Sequence, residues 1–224
     1  MATHLDLEEQ EQIDQLKHFW AQYGNLITWA LILVFGSIAA WNGWNYWQRT
    51  QAVKASALYD AVERAVTSGD VDRVGKALAE MQDRFSGSVF ADQGALLAAK
   101  ALADAGKSEA AAAALQWVAD KSQDDAYRAV ARLRQAGLDI ESKAYDRALK
   151  VLEAPMPKAF EALAADRRGD VYMAQDKKDE ARQQYEAAWR AFGDRADYRN
   201  LVEVKLAALG VDAGTLTVAP EGAR

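Results

Sequence analysis

Read from the amino terminus, the chain changes its hydrophobic pattern twice. Ile13, Leu16, Phe19 or Trp20, and Tyr23 recur at helical spacing until Gly24 interrupts the rhythm. That spacing predicts a short amphipathic helix lying on a membrane surface, or equally the water-exposed start of the helix that follows. From Leu26 to Trp47 the periodicity disappears, because most positions are apolar, and no charge occurs between Lys17 and Arg49 if His18 is neutral. As a helix these residues span roughly 33 Å against a hydrocarbon core of about 30 Å, so one transmembrane helix is expected. Trp20 and Tyr23 before the run, and Trp41, Trp44, Tyr46 and Trp47 at its end, suit the two headgroup interfaces.

A cleaved signal peptide is the rival reading, since Ser37-Ile38-Ala39 offers small residues to a peptidase. The charge pattern opposes it. Asp6, Glu8, Glu9, Glu11 and Asp14 precede the run against Lys17 alone, whereas a signal peptide starts positive. Orientation by charge sets Lys17 on one side against Arg49, Lys54 and Arg64 on the other, which favours a cytoplasmic carboxyl side. That rule applies poorly to a helix followed by a long domain, because long domains cross largely regardless of charge.

From Gln48 the sequence is rich in Ala, Leu, Glu, Lys, Arg and Gln, which favours helix. Ala55, Leu58, Tyr59, Val62, Ala65 and Val66 carry a helix to Ser68-Gly69-Asp70. Further breaks fall at Ser86-Gly87-Ser88, Ala105-Gly106-Lys107, Ser122 to Asp124, Pro155-Met156-Pro157, Gln175 to Lys178 and Gly193-Asp194. Between them lie helices of about 10 to 20 residues.

Their spacing points to tetratricopeptide-like repeats, helix pairs of about 34 residues whose close approach needs small residues at fixed places. Gly169, Tyr172, Ala181, Tyr185 and Ala188 match best; Ala136, Ala148 and Leu152 form the preceding set, and Leu97, Ala98 and Ala110 the one before. Trp117 and Pro155 stand where a small residue is expected, and Ala55 to Phe85 reads as a helix pair without the repeat pattern. An irregular helical bundle is the alternative. The expected fold is all-α, one transmembrane helix followed by an α-solenoid. Its parts are an acidic segment (1–24), the membrane helix (25–47), a linking helix and degenerate pair (48–88), repeats (89–193), a capping helix (194–209) and a frayed tail (210–224).

Composition narrows the function. Of 224 residues, 27 are basic and 33 acidic, giving a net charge of -6 with no cysteine. A nucleic-acid partner is unexpected without a basic face. The acid divides unevenly: residues 1–25 hold -4, residues 26–50 hold +1 and the remainder -3. Five of the seven tryptophans fall between Trp20 and Trp47, so the average hides two different chains. Only His4 and His18 exist, both ahead of the membrane run, which leaves the helical domain without a histidine base or ligand. The acidic pairs Asp124-Asp125 and Asp179-Glu180 lie at helix starts, where carboxylates suit the dipole. Arg and Asp within Ala165 to Asp170 stand three or four apart, as surface pairs do. No enzyme activity, cofactor or metal is expected.

Recognition at a groove remains. The first helix of each pair lines it, and this spacing predicts Asp92, Ala95, Ala99 and Leu102, then Val130, Leu133, Gly137 and Ile140, then Leu163, Asp166, Asp170 and Met173. Such a groove is apolar with acidic residues at one end. It suits an apolar segment of a partner or an unfolded client, or the chain's own helix at Leu201 to Leu209 fills it as a cap. In the membrane run, Gly36, Ala39, Ala40 and Gly43 share one face, the small-residue pattern that lets helices approach, although membrane composition alone often produces it.

Glu11, Leu16-Lys17, Phe19-Trp20, Tyr23-Gly24-Asn25, the apolar run and Trp44-Asn45-Tyr46-Trp47 together resemble the start of the YfgM-type ancillary subunits of the SecYEG translocon. Ala165-Asp166, Arg168-Gly169-Asp170 and Ala181-Arg182 resemble the same family, so the likeness covers most of residues 8 to 209. The resemblance implies a bacterial inner-membrane protein with a cytoplasmic amino terminus and periplasmic repeats, opposite to the charge count. Implied partners are the SecYEG translocon, a periplasmic chaperone of the peptidyl-prolyl isomerase type, emerging exported proteins and membrane lipid. A membrane-tethered scaffold for another envelope complex is the second functional reading.

Overall fold

The structure is a computed structural model that describes residues 7–193 and 196–216. Among these residues it is built of nine α-helices and one short 3-10 helix. The helices are α1 (Leu7–Thr67), α2 (Val71–Phe85), α3 (Val89–Asp104), α4 (Ser108–Lys121), α5 (Asp125–Glu141), α6 (Tyr145–Glu153), α7 (Lys158–Ala174), α8 (Lys178–Phe192) and α9 (Ala196–Ala208), with the 3-10 turn at Ala213–Thr215. The chain divides into two compact units, one up to Val53 and one from Lys54.

In the first unit α1 is continuous through Gly24, where the hydrophobic rhythm predicts an interruption. An interior glycine costs about 1 kcal/mol relative to alanine, and here the Trp20 ring lies over the space: a Cβ on Gly24 would stand 3.0 Å from Trp20 Nε1. The apolar stretch is long enough to cross a membrane, and almost none of it is buried against protein, unlike the core helix of a soluble domain. Its hydroxyls are satisfied internally. Thr28 Oγ1 donates to the Gly24 carbonyl and Ser37 Oγ to that of Leu33, both at 2.7 Å, which removes the cost of a bare hydroxyl in hydrocarbon.

The second unit is a stack of helix pairs, and its register is set by the turns. Gly69, Gly106, Lys143, Asp176 and Gly210 all adopt positive φ. In each turn that residue's N–H bonds the carbonyl three residues back, and the next N–H bonds the carbonyl five back, as in Gly106 to Ala103 and Lys107 to Leu102. This is the left-handed helix stop that satisfies two carbonyls otherwise orphaned. The five positions are 37, 37, 33 and 34 residues apart, so one turn geometry repeats along the chain.

Packing follows the same period. Five residues beyond each of the first four turns stand Val74, Ala111, Ala148 and Ala181, all buried. Each donates its N–H to the residue just after the turn, Asp70, Lys107, Ala144 and Lys177. Four residues further on, Leu78, Leu115, Leu152 and Tyr185 lock the pair. The small residue of the first repeat is therefore Ala111 rather than Ala110, which is exposed, and the equivalents on the first helix are Ala99, Ala136 and Gly169. Residues 55 to 85, read from sequence as lacking the pattern, share it with larger side chains: Val62, Val74 and Leu78 occupy its places in the core.

The last elements also differ from the sequence expectation. Val211 and Leu216 pack on a cluster that contains Val202, Leu206 and Ala213, so the tail is ordered packing as far as residue 216. Residues 217–224, the rest of the expected tail, lie outside the described residues. α9 ends in the same turn as the first helices of the pairs, with Gly210 N–H bonded to the Ala207 carbonyl and Val211 N–H to that of Leu206.

Candidate partner-binding site

With the register fixed by the turns, Val130, Leu133, Gly137 and Ile140 hold the same places in the second repeat as Leu163, Asp166, Asp170 and Met173 in the third. The first row shifts by one residue. Leu102, only 5% exposed, packs in the first core cluster together with Ala95 and Ala99. The places equivalent to Val130, Leu133, Gly137 and Ile140 are Gln93, Leu96, Lys100 and Ala103, and of these Leu96 is buried in the same core cluster. The error has a simple cause: Ala110 to Ala114 are five alanines, and a uniform run cannot fix a register.

The rows are not equally open. Leu133 and Ile140 lie half-buried at the edge of the cluster formed by Ala136, Ala148, Leu152 and Val171. Arg134 Nη1 reaches the Leu96 carbonyl at 3.1 Å, and Gln93 Nε2 donates to Tyr127 Oη at 2.8 Å, tying the first and second rows together. In the third row, Leu163 and Met173 pack against the cluster that includes α9 residues Val202 and Leu206.

The acidic end is already neutralised from within. Lys205 Nζ of α9 donates to Asp166 Oδ1 and to Asp170 Oδ1, both at 2.7 Å. Asp170 also accepts from Tyr185 Oη at 2.9 Å, and the Lys205 ammonium stands 5.2 Å from the Tyr185 ring centre. Burial raises the Asp166 carboxyl above its usual range although the Lys205 hydrogen bond and charge oppose the shift. Burial, and then the charge of Asp170, push the Tyr185 phenol upward, so it serves as a hydrogen-bond donor. A further tie holds the helix. Trp189 Nε1 donates to Glu203 Oε1 at 3.0 Å, and the Arg199 guanidinium sits 3.9 Å from the Trp189 ring centre. The predicted last helix therefore docks on the third row.

On α1, Gly36, Ala39, Ala40 and Gly43 are exposed on one face. A Cβ added at Gly36 or Gly43 would meet no atom within 4 Å, so a second helix could approach the backbone there.

Residues 17–211 match the model of the tetratricopeptide repeat-like domain, almost the whole of the described helical chain. An ancillary SecYEG translocon subunit of Neisseria gonorrhoeae is 30% identical over 213 residues, covering 93% of this chain and 100% of that protein. The chain belongs to the ancillary SecYEG translocon subunit family. The Escherichia coli member is 31% identical over 80% of this chain and 86% of its own, and the Haemophilus influenzae member 28% over 81% and 89%. An ancillary translocon subunit with one apolar helix, among the described residues, long enough to span a bilayer fits an inner-membrane protein.

Proposed function

We propose that this ancillary subunit associates with the SecYEG translocon through its membrane helix and uses the repeats to receive proteins on the far side of the membrane. The amino terminus is cytoplasmic and the repeats periplasmic. The half-buried apolar row of Val130, Leu133, Gly137 and Ile140 takes a chaperone of the peptidyl-prolyl isomerase type or an apolar segment of an emerging exported chain. Gly36, Ala39, Ala40 and Gly43 supply the helix face that packs in the bilayer, and lipid covers the remainder.

The observation that carries this reading is the division of the groove. α9 docks on Leu163, Asp166, Asp170 and Met173, while the second row keeps its apolar edge for a ligand. No step of it needs a reactive group, so the role is binding without catalysis. Topology is tested by fusing a reporter that is active only in the periplasm after Arg224. Activity supports the placement; inactivity, with activity of an amino-terminal fusion, overturns it. Copurification in mild detergent should recover translocon subunits, and recovery of a different envelope complex alone would favour a tethered scaffold instead.

A further inference from the structure

Asp92 stands apart from its repeat equivalents. It occupies the place that Ala55, Ala129 and Ala162 hold in the other pairs, each at most 1% exposed. Three alanines at this place mean that the stack does not require a carboxylate there. Asp92 is nevertheless 4% exposed. Its Oδ2 accepts from Ser122 Oγ at 2.8 Å, and its buried Oδ1 has no hydrogen-bond partner. A buried acceptor left unpaired is a cost to the fold.

The carboxylate forms the floor of a depression of about 490 Å³ at the start of α3 and α5, with Gly87, Val89, Gln123, Asp124 and Asp125 on its exposed rim. Nearby positive charge is already engaged: Arg128 pairs with Asp125 and donates to the Ser122 carbonyl at 2.8 Å. Asp124 caps α5 by accepting from the Ala126 N–H at 2.7 Å. Three carboxylates against one guanidinium leave the depression negative. Among the described residues no group of three or more His, Cys, Asp or Glu is arranged to hold a metal ion. Val89 gives the rim an apolar wall, suited to the methylene stem of a long basic side chain.

We infer that this depression binds a lysine or arginine side chain of a protein partner, its positive charge held by the Asp92, Asp124 and Asp125 carboxylates and its stem along Val89. The site lies at the turns between repeats, apart from the groove, and does not depend on which protein the groove takes. A flexible segment held by both would be anchored through one apolar stretch and one basic residue.

The test uses the full chain in detergent and a fluorescein-labelled glycine-serine peptide carrying lysine, followed by anisotropy, with a norleucine peptide as control. Saturable binding of the lysine peptide alone is expected. Asp92→Ala should weaken it by about tenfold, the scale of one charge-assisted hydrogen bond, with the thermal unfolding midpoint unchanged or raised. Asp124→Asn with Asp125→Asn, both on the exposed rim, should weaken it severalfold and keeps the test available if the Asp92 variant does not fold. Equal binding of the norleucine peptide, no saturable binding, or unchanged affinity in the variants would overturn the inference. A lower midpoint in Asp92→Ala with unchanged affinity would assign Asp92 to folding instead.

Discussion

Gly169 on α7 faces the ring of Tyr185 on α8 so closely that a Cβ at Gly169 would stand 2.4 Å from Tyr185 Cε1. The same two places hold Ala99 with Leu115 and Ala136 with Leu152, so a smaller first residue accompanies a larger second one. Gly169→Ala should destabilise the repeats by about 1–3 kcal/mol, because overpacking outweighs the gain in helix propensity. Gly137 is the internal control. No atom lies within 4 Å of its added Cβ, and Gly137→Ala should stabilise by about 0.5–1 kcal/mol. Urea unfolding of the full chain in detergent, followed by circular dichroism, reads both; equal effects would refute the packing argument.

The turns make a second prediction. Lys143 and Asp176 hold φ of 59° and 58° where Gly69, Gly106 and Gly210 stand in the equivalent turns. A left-handed conformation costs an ordinary residue about 1–2 kcal/mol. Lys143→Gly should therefore raise stability by about 1 kcal/mol, visible as a higher unfolding midpoint. A fall would mean that the Lys143 side chain matters more than its backbone.

Lys205 offers a pH test. Burial raises Asp166 above its ordinary 3.8, so the native protein binds this proton more tightly than the unfolded chain. Its ionisation therefore costs native stability above the native pKa, and the cost fades as pH falls through that value and then below the unfolded one. Lys205→Met keeps the stem but deletes the hydrogen bond and charge that oppose the shift. Near neutrality the variant should be less stable by about 1–3 kcal/mol, discounted from a fully buried pair because Lys205 is partly exposed. The deficit should narrow as pH falls toward about 4. A deficit that stays constant over that range would show that lost packing, not uncompensated charge, is responsible.

For the membrane face, Gly36→Leu with Gly43→Leu should leave the unfolding of the repeats unchanged while reducing copurification of membrane partners severalfold, since close helix approach needs small residues. Undiminished copurification would remove this face from the account.

Much of the stack was legible because glycine, proline and serine punctuate it. Gly69, Gly106 and the Pro155 to Pro157 segment mark helix ends in any reading. The turn at Ser142 to Ala144 escaped notice since Lys143 carries no mark of its left-handed backbone, and without that turn the repeat spacing is one interval short. The first pair was hidden by size: Val62 and Val74 fill places where small residues are expected. Ala111 was misread as Ala110 because every neighbour in its run is alanine, and only the Ala111 N–H to Lys107 bond decides between them. Lys205 was invisible as a partner of Asp166 because nothing in a sequence pairs residues 39 apart. Asp92 looked like one acid among many; its burial and its alanine counterparts appear only once the turns align the repeats.

The central claim is that the second row of the groove meets a protein ligand. Photo-crosslinking residues at Leu133 and Ile140, with one at exposed Lys150 on α6 as control, test it in intact membranes. Adducts with translocon-associated chaperone or with varied exported chains, formed from Leu133 and Ile140 and not from Lys150, are predicted. No adducts from Leu133 and Ile140, or the same adducts in equal yield from Lys150, would contradict the account.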